Sequence, residues 1–123
     1  MSKHKKLRVA ISCGDPNGIG LEVILKALTD ARVYEHCVPV IYASPKTVNF
    51  HMKNLNLEGL HYNTCTDTNK IDFNKINVFS PWKEDPFVEF GKVTADAGRH
   101  AFESLKIAVE DLASNKMDVL VTA

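Results

Sequence analysis

Hydrophobic residues fall into short runs separated by amphipathic stretches, and this alternation predicts strand and helix in turn. Residues 8–13 are apolar and partly β-branched and lead into Gly14-Asp15-Pro16-Asn17-Gly18, which reads as a buried strand meeting a sharp turn. Leu21, Ile24, Leu25 and Leu28 then recur at i, i+3, i+4 and i+7, with Glu22 four residues before Lys26 on the polar side, so an amphipathic helix follows. A second apolar run covers 38–43. Ser44 and Pro45 supply an N-cap and a first-turn proline for a helix expected to reach Leu57 and to be closed by Gly59. Residues 60–65 and 75–79 read as strands around an exposed polar loop, and Pro81, Pro86 and Gly91 bound an irregular stretch around Trp82. The strongest helix spans 94–115, with Ala101, Phe102, Leu105, Ala108, Val109 and Leu112 on one broad face. A last apolar strand covers 118–123.

Strands alternating with helices over short connections predict an α/β fold, a mostly parallel sheet flanked by helices, because parallel neighbours require crossovers. No repeat, low-complexity tract or linker interrupts residues 1–123, so no domain boundary is expected inside them. The final strand has no following helix to cover its sheet face, so these residues are expected to form the N-terminal part of a larger protein.

Charge and composition narrow the function. Fifteen basic residues balance fifteen acidic ones, leaving no basic stripe to meet a phosphate backbone, so no nucleic acid partner is expected. No apolar run approaches the roughly 20 residues that span a bilayer, and no membrane partner is expected. The basic start is broken by His4 and Leu7 and lacks a signal-peptide core, which points to a cytoplasmic protein. Cys13, Cys37 and Cys65 are too far apart for a paired redox or zinc pattern and are expected to be reduced. His4, His36, His51, His61 and His100 form no i,i+4 pair, so no complete metal site is expected here.

The residues that carry chemistry lie in 14–20, where a strand turns into a helix. In open α/β sheets ligands bind at that carboxyl edge. The spacing G-x-x-x-G-x-G differs from both the dinucleotide fingerprint and the Gly-Lys-Ser/Thr phosphate loop. Asp15 also places a carboxylate where a helix dipole already favours negative charge, which suits a cap or a contact to hydroxyl or ammonium better than a phosphate cradle. Two readings stay open: Asp15 and Asn17 cap the first helix while the glycines permit positive φ, or the loop meets ligand. Cys13 reads as a small buried hydrophobe, His100 as a surface or packing histidine, and Trp82 as a packing anchor or subunit contact.

The stretch from Val9 to Ile24, V-A-I-S-C-G-D-P-N-G-I-G-L-E-V-I, resembles the opening of the 4-hydroxythreonine-4-phosphate dehydrogenase family of vitamin B6 biosynthesis, whose usual pattern is G-D-P-x-G-I-G-P-E. A second match runs from Gly91 to Ala123 through Thr94-Ala-Asp-Ala-Gly-Arg, an alanine-rich helix and Asp118-Val-Leu-Val-Thr-Ala; the middle of the chain matches only in rhythm. Leu21 stands where the family commonly has proline, which would only pre-set the first helical turn.

The resemblance implies a fold similar to isocitrate and isopropylmalate dehydrogenases, with an active-site cleft between two domains of a homodimer. It implies NAD- or NADP-dependent oxidation of 4-phosphooxy-L-threonine, a small phosphorylated amino acid, and decarboxylation to 3-amino-2-oxopropyl phosphate on the way to pyridoxal phosphate. A divalent metal would polarise the substrate oxygens. The family continues past the equivalent of Ala123 with Pro-Ile-Asn-Lys, and its metal, substrate and phosphate ligands lie beyond that point. The chain alone is therefore expected to be inactive, with no catalytic or metal residue of its own. Asp15, Asn17, Gly18 and Ile19 remain as candidate cofactor contacts, and Thr122 as a candidate substrate contact. Two alternatives stay open: a paralogous dehydrogenase of a phosphorylated four-carbon sugar acid, and a non-catalytic α/β module that binds a nucleotide or a partner protein.

Overall fold

The computed structural model describes residues 6–57, 59–80, 82 and 94–122. Strands β1 (Leu7–Ser12), β2 (Cys37–Tyr42), β3 (Tyr62–Cys65), β4 (Ile76–Phe79) and β5 (Val119–Thr122) form one five-stranded sheet in the order β3-β4-β2-β1-β5. Every pairing is parallel, as the strand-helix alternation predicts. Helices α1 (Gly20–Ala27), α2 (Val33–His36), α3 (Pro45–Asn54) and α4 (Ala95–Ala113) complete the fold, with a short 3-10 turn at Thr68–Lys70. Helix α2 was not foreseen, because four residues carry too little periodicity to register. Pro81, Pro86 and Gly91 lie outside the described residues. No helix among the described residues is long and apolar enough to cross a membrane.

The two-residue period of the strands divides the core. Ile11, Ile41 and Val78 face one side and pack with Leu21, Ile24, Leu25, Val48 and Met52 of α1 and α3. Ala10, Val40, Tyr42 and Phe79 face the other, where Ala108 of α4 and Met117 meet them. Each large aliphatic side chain so buried stabilises the fold by about 1.5–3 kcal/mol relative to exposure.

Local signals set the helix ends. The Ser44 and Thr94 hydroxyls accept from Thr47 N and Ala97 N, capping α3 and α4. At the other ends, Asn56 (φ 56°) and Asn115 (φ 63°) adopt the left-handed conformation. Leu57 N and Lys116 N then donate back to Met52 O and Asp111 O, both at 2.9 Å. Helix α3 therefore stops at Asn54, before the Leu57 and Gly59 end that its pattern predicts.

Helix α4 corrects another expectation. Phe102, Leu105 and Val109, part of its most hydrophobic face, are 67%, 38% and 45% exposed. The face against the sheet is instead Ala97, His100, Ser104, Ala108 and Asp111. Small residues let the helix approach closely, and its polar members meet buried groups of the sheet. The Tyr42 phenol donates to Asp111 Oδ2 at 2.6 Å, and the Ser104 hydroxyl donates to Tyr42 O at 2.7 Å.

Candidate functional site

Chain order and spatial order diverge at β1. The chain moves from β1 to β2 on one side, then crosses from β4 to β5 on the other, so the boundary between β1 and β5 is the topological switch point. Helices α1 and α3 lie on one face of the sheet and α4 on the other, which opens a crevice beyond the carboxyl ends of these two strands. Loop 14–20 leaves β1 at that edge. Thr122 ends β5 there and pairs with Ser12, two residues before Gly14.

The loop is built by its own residues. Gly14 takes φ 67°, a conformation that costs glycine little and other residues much. Asp15 Oδ1 accepts from Asn17 N at 2.8 Å, and Gly18 N donates to Asp15 O at 2.9 Å, closing a tight turn. Helix α1 is capped at Ile19 with no side-chain hydrogen bond. The reading in which Asp15 and Asn17 cap this helix therefore fails, because Asp15 is spent on the turn four residues before Ile19.

Three contacts from distant elements hold the loop, and the sequence pattern missed all three. His51, buried on α3, lies with Nε2 2.8 Å from Pro16 O; a carbonyl only accepts, so Nε2 carries the proton. Ser104 accepts from Cys13 N at 3.1 Å while donating to Tyr42 O, and so bridges the ends of β1 and β2 where their ladder stops. Asn17 Nδ2 reaches the α4 cap Thr94 Oγ1 at 3.5 Å. The available signal was a polar residue on each buried helical face, His51 beside Val48 and Met52, and Ser104 between Ala97 and Ala108.

The candidate residues divide by position. Asn17 is buried and anchors the loop; Asp15 and Gly18 are half-buried; Ile19 is 71% exposed beside exposed Val23. Thr122 and Gly20 line one side-open cleft of about 360 Å³, whose floor and walls include Ile11, Val23 and Val121. The structure thus brings Thr122 to the first turn of α1, across an almost wholly apolar surface. Burial pushes the Cys13 thiol up, and its Sγ lies 3.3 Å from Gly14 O, so Cys13 is a packed thiol with no activated thiolate. His100 is buried beneath Trp82, their rings 6.1 Å apart, which makes it a packing histidine.

No group of three or more His, Cys, Asp or Glu among the described residues could hold a metal ion, so these residues do not fit a divalent metal site. Loop 14–20 presents a mixed polar and apolar surface instead. Its uncapped helix start, the half-buried Asp15 carboxylate and the apolar Ile19 offer polar and flat contacts at the switch point.

Residues 35–123 match the model of a family described as the pyridoxal phosphate biosynthetic protein PdxA. A 4-hydroxythreonine-4-phosphate dehydrogenase of Bacteroides thetaiotaomicron is 35% identical over 98% of this chain and 33% of its own length. A Clostridium botulinum protein with the provisional name D-threonate 4-phosphate dehydrogenase is 32% identical over 97% of this chain and 36% of its own. The crystal structure of a 4-hydroxythreonine-4-phosphate dehydrogenase from Burkholderia phymatum superposes with a TM-score of 0.84 at 26% identity, covering 96% of this chain and 36% of that one. The chain spans about a third of the length of these relatives. A parallel sheet with a glycine loop at its switch point, a family match over most of the chain and a close structural likeness lead to one conclusion: the chain belongs to the PdxA family.

Proposed function

We propose that the protein carrying this chain is an NAD- or NADP-dependent dehydrogenase that oxidises 4-phosphooxy-L-threonine, and that decarboxylation then yields 3-amino-2-oxopropyl phosphate. The observation that carries this reading is the 14–20 loop at the β1/β5 switch point of a PdxA-family sheet. A nicotinamide held at this loop would supply the hydride acceptor. Asp15 would meet a ribose hydroxyl or amide N–H, since its charge opposes a phosphate at the same place. Gly18 permits close backbone approach, and Ile19 offers an apolar ledge to a flat ring. Asn17, His51 and Ser104 act one step back by holding the loop. Thr122 would reach substrate from β5. A divalent metal, if used, would draw its ligands from outside the described residues. The working protein is proposed to be a cytoplasmic homodimer.

The name of the Clostridium botulinum relative favours D-threonate 4-phosphate as a second substrate reading. One assay separates the two: NADH or NADPH formation at 340 nm by the full-length protein with each phosphorylated substrate and a divalent metal. Turnover of 4-phosphooxy-L-threonine alone supports the first reading, turnover of D-threonate 4-phosphate alone replaces it, and turnover of neither rejects both.

A further inference from the structure

We propose that this chain binds one ordered water molecule beneath loop 14–20, held between the Thr47 hydroxyl and the Trp82 indole N–H. Thr47 is 2% exposed, and its Oγ1 has no hydrogen-bond partner among the described residues; nor does the buried Nε1 of Trp82. Both residues line the same small cavity, of about 10 Å³, together with Cys13, Pro16, Ser44 and His100. That volume is the minimum that holds one water. A dry cavity would leave two buried polar groups with nothing to offset their lost hydration.

The chemistry of the lining suits water. An indole N–H only donates, whereas a hydroxyl both donates and accepts, so the site needs a ligand that accepts from Trp82 and pairs with Thr47 in either sense. Water does both. Cys13 and Pro16 also line the cavity, and Pro16 O keeps a second lone pair beside the one engaged by His51. The alternative partner for Thr47, the carbonyl one helical turn back, is not used. The loop, the start of α3, the early part of α4 and Trp82 after β4 meet here, so the water would add a link between Trp82 and α3 to the direct bonds that already join the loop to α3 and α4.

The test is made on the ¹⁵N-labelled protein, with the Trp82 indole signal identified by its loss in Trp82→Phe. Water-selective NOE and ROE spectra should give this indole proton a cross peak of the sign of a long-lived bound water. The peak should vanish in Thr47→Val, which keeps the side-chain shape and removes the hydroxyl, and should persist in Thr47→Ser. A high-resolution crystal structure should place a solvent peak within hydrogen-bond distance of both atoms. Absence of the cross peak in the unmodified protein, its survival in Thr47→Val, or density showing a protein group in the cavity would each overturn the proposal.

Discussion

The buried pair Tyr42 and Asp111 offers the sharpest test of how α4 is held. Tyr42 is fully buried and Asp111 is 8% exposed, and the phenol donates to Asp111 Oδ2 at 2.6 Å. A hydrogen bond to a charged acceptor contributes about 1.5–3 kcal/mol net, and a carboxylate stripped of its donor in such a site keeps its desolvation cost. Tyr42→Phe should therefore destabilise the protein by about 2–3 kcal/mol at neutral pH. Asp111→Leu, which orphans the phenol, should cost about 1–3 kcal/mol. The double variant should lose clearly less than the sum, with a coupling of about 1.5–3 kcal/mol, because two apolar side chains of similar shape leave nothing unpaired. Asp111→Asn keeps an acceptor and should be milder than Asp111→Leu. Equilibrium urea unfolding, with unchanged m-values, supplies each number. Additive losses, with coupling below about 0.5 kcal/mol, would refute the claim that this pair fixes the inward face of α4.

Burial raises the pKa of Tyr42, Tyr34, Tyr62, Cys13 and Cys65, with Asp111 adding to the rise at Tyr42. The unfolded chain then releases these protons first, so stability is fully present below the unfolded values and falls as pH climbs above about 8.5 for the thiols and about 10 for the phenols. Tyr42→Phe should flatten the loss above about pH 10 in urea titrations; an unchanged slope would contradict the raised phenol. Asp15→Asn keeps the acceptor for Asn17 N and removes the charge. In the full-length enzyme it should lower kcat/KM about tenfold or more at unchanged stability, and unaltered kinetics would remove Asp15 from the ligand contacts. Asn115→Ala should cost about 1 kcal/mol and Asn115→Gly should be neutral or stabilising, read by thermal unfolding, because only the left-handed C-cap distinguishes them. Equal effects would mean that the cap is not rate-setting for stability at this end.

Several elements were legible because their causes are local. The first-turn pair Ser44-Pro45 and the i, i+3, i+4 spacing of Leu21, Ile24 and Leu25 each act within a few residues, and both appear where the pattern places them. The glycine loop was legible for the same reason, since Gly14 and the Asp15 turn need only their immediate neighbours. Helix α4 misled because hydrophobic periodicity measures water avoidance, whereas its contact with the sheet is decided by close approach and by hydrogen bonds to strand ends. Ser104 and Asp111 look like surface residues until Cys13 N and the Tyr42 phenol are placed beside them.

From the sequence alone came the kinds of element, their order along the chain, the parallel α/β class and the loop that carries the family resemblance. Tertiary structure alone decided the strand order β3-β4-β2-β1-β5, which turns the β1 loop and Thr122 into neighbours of one switch point. It also supplied the grip on that loop from His51, Thr94 and Ser104, which lie 35, 77 and 91 residues from their partners. Contacts over such separations leave no periodic trace, because each depends on where the sheet brings two otherwise ordinary polar side chains.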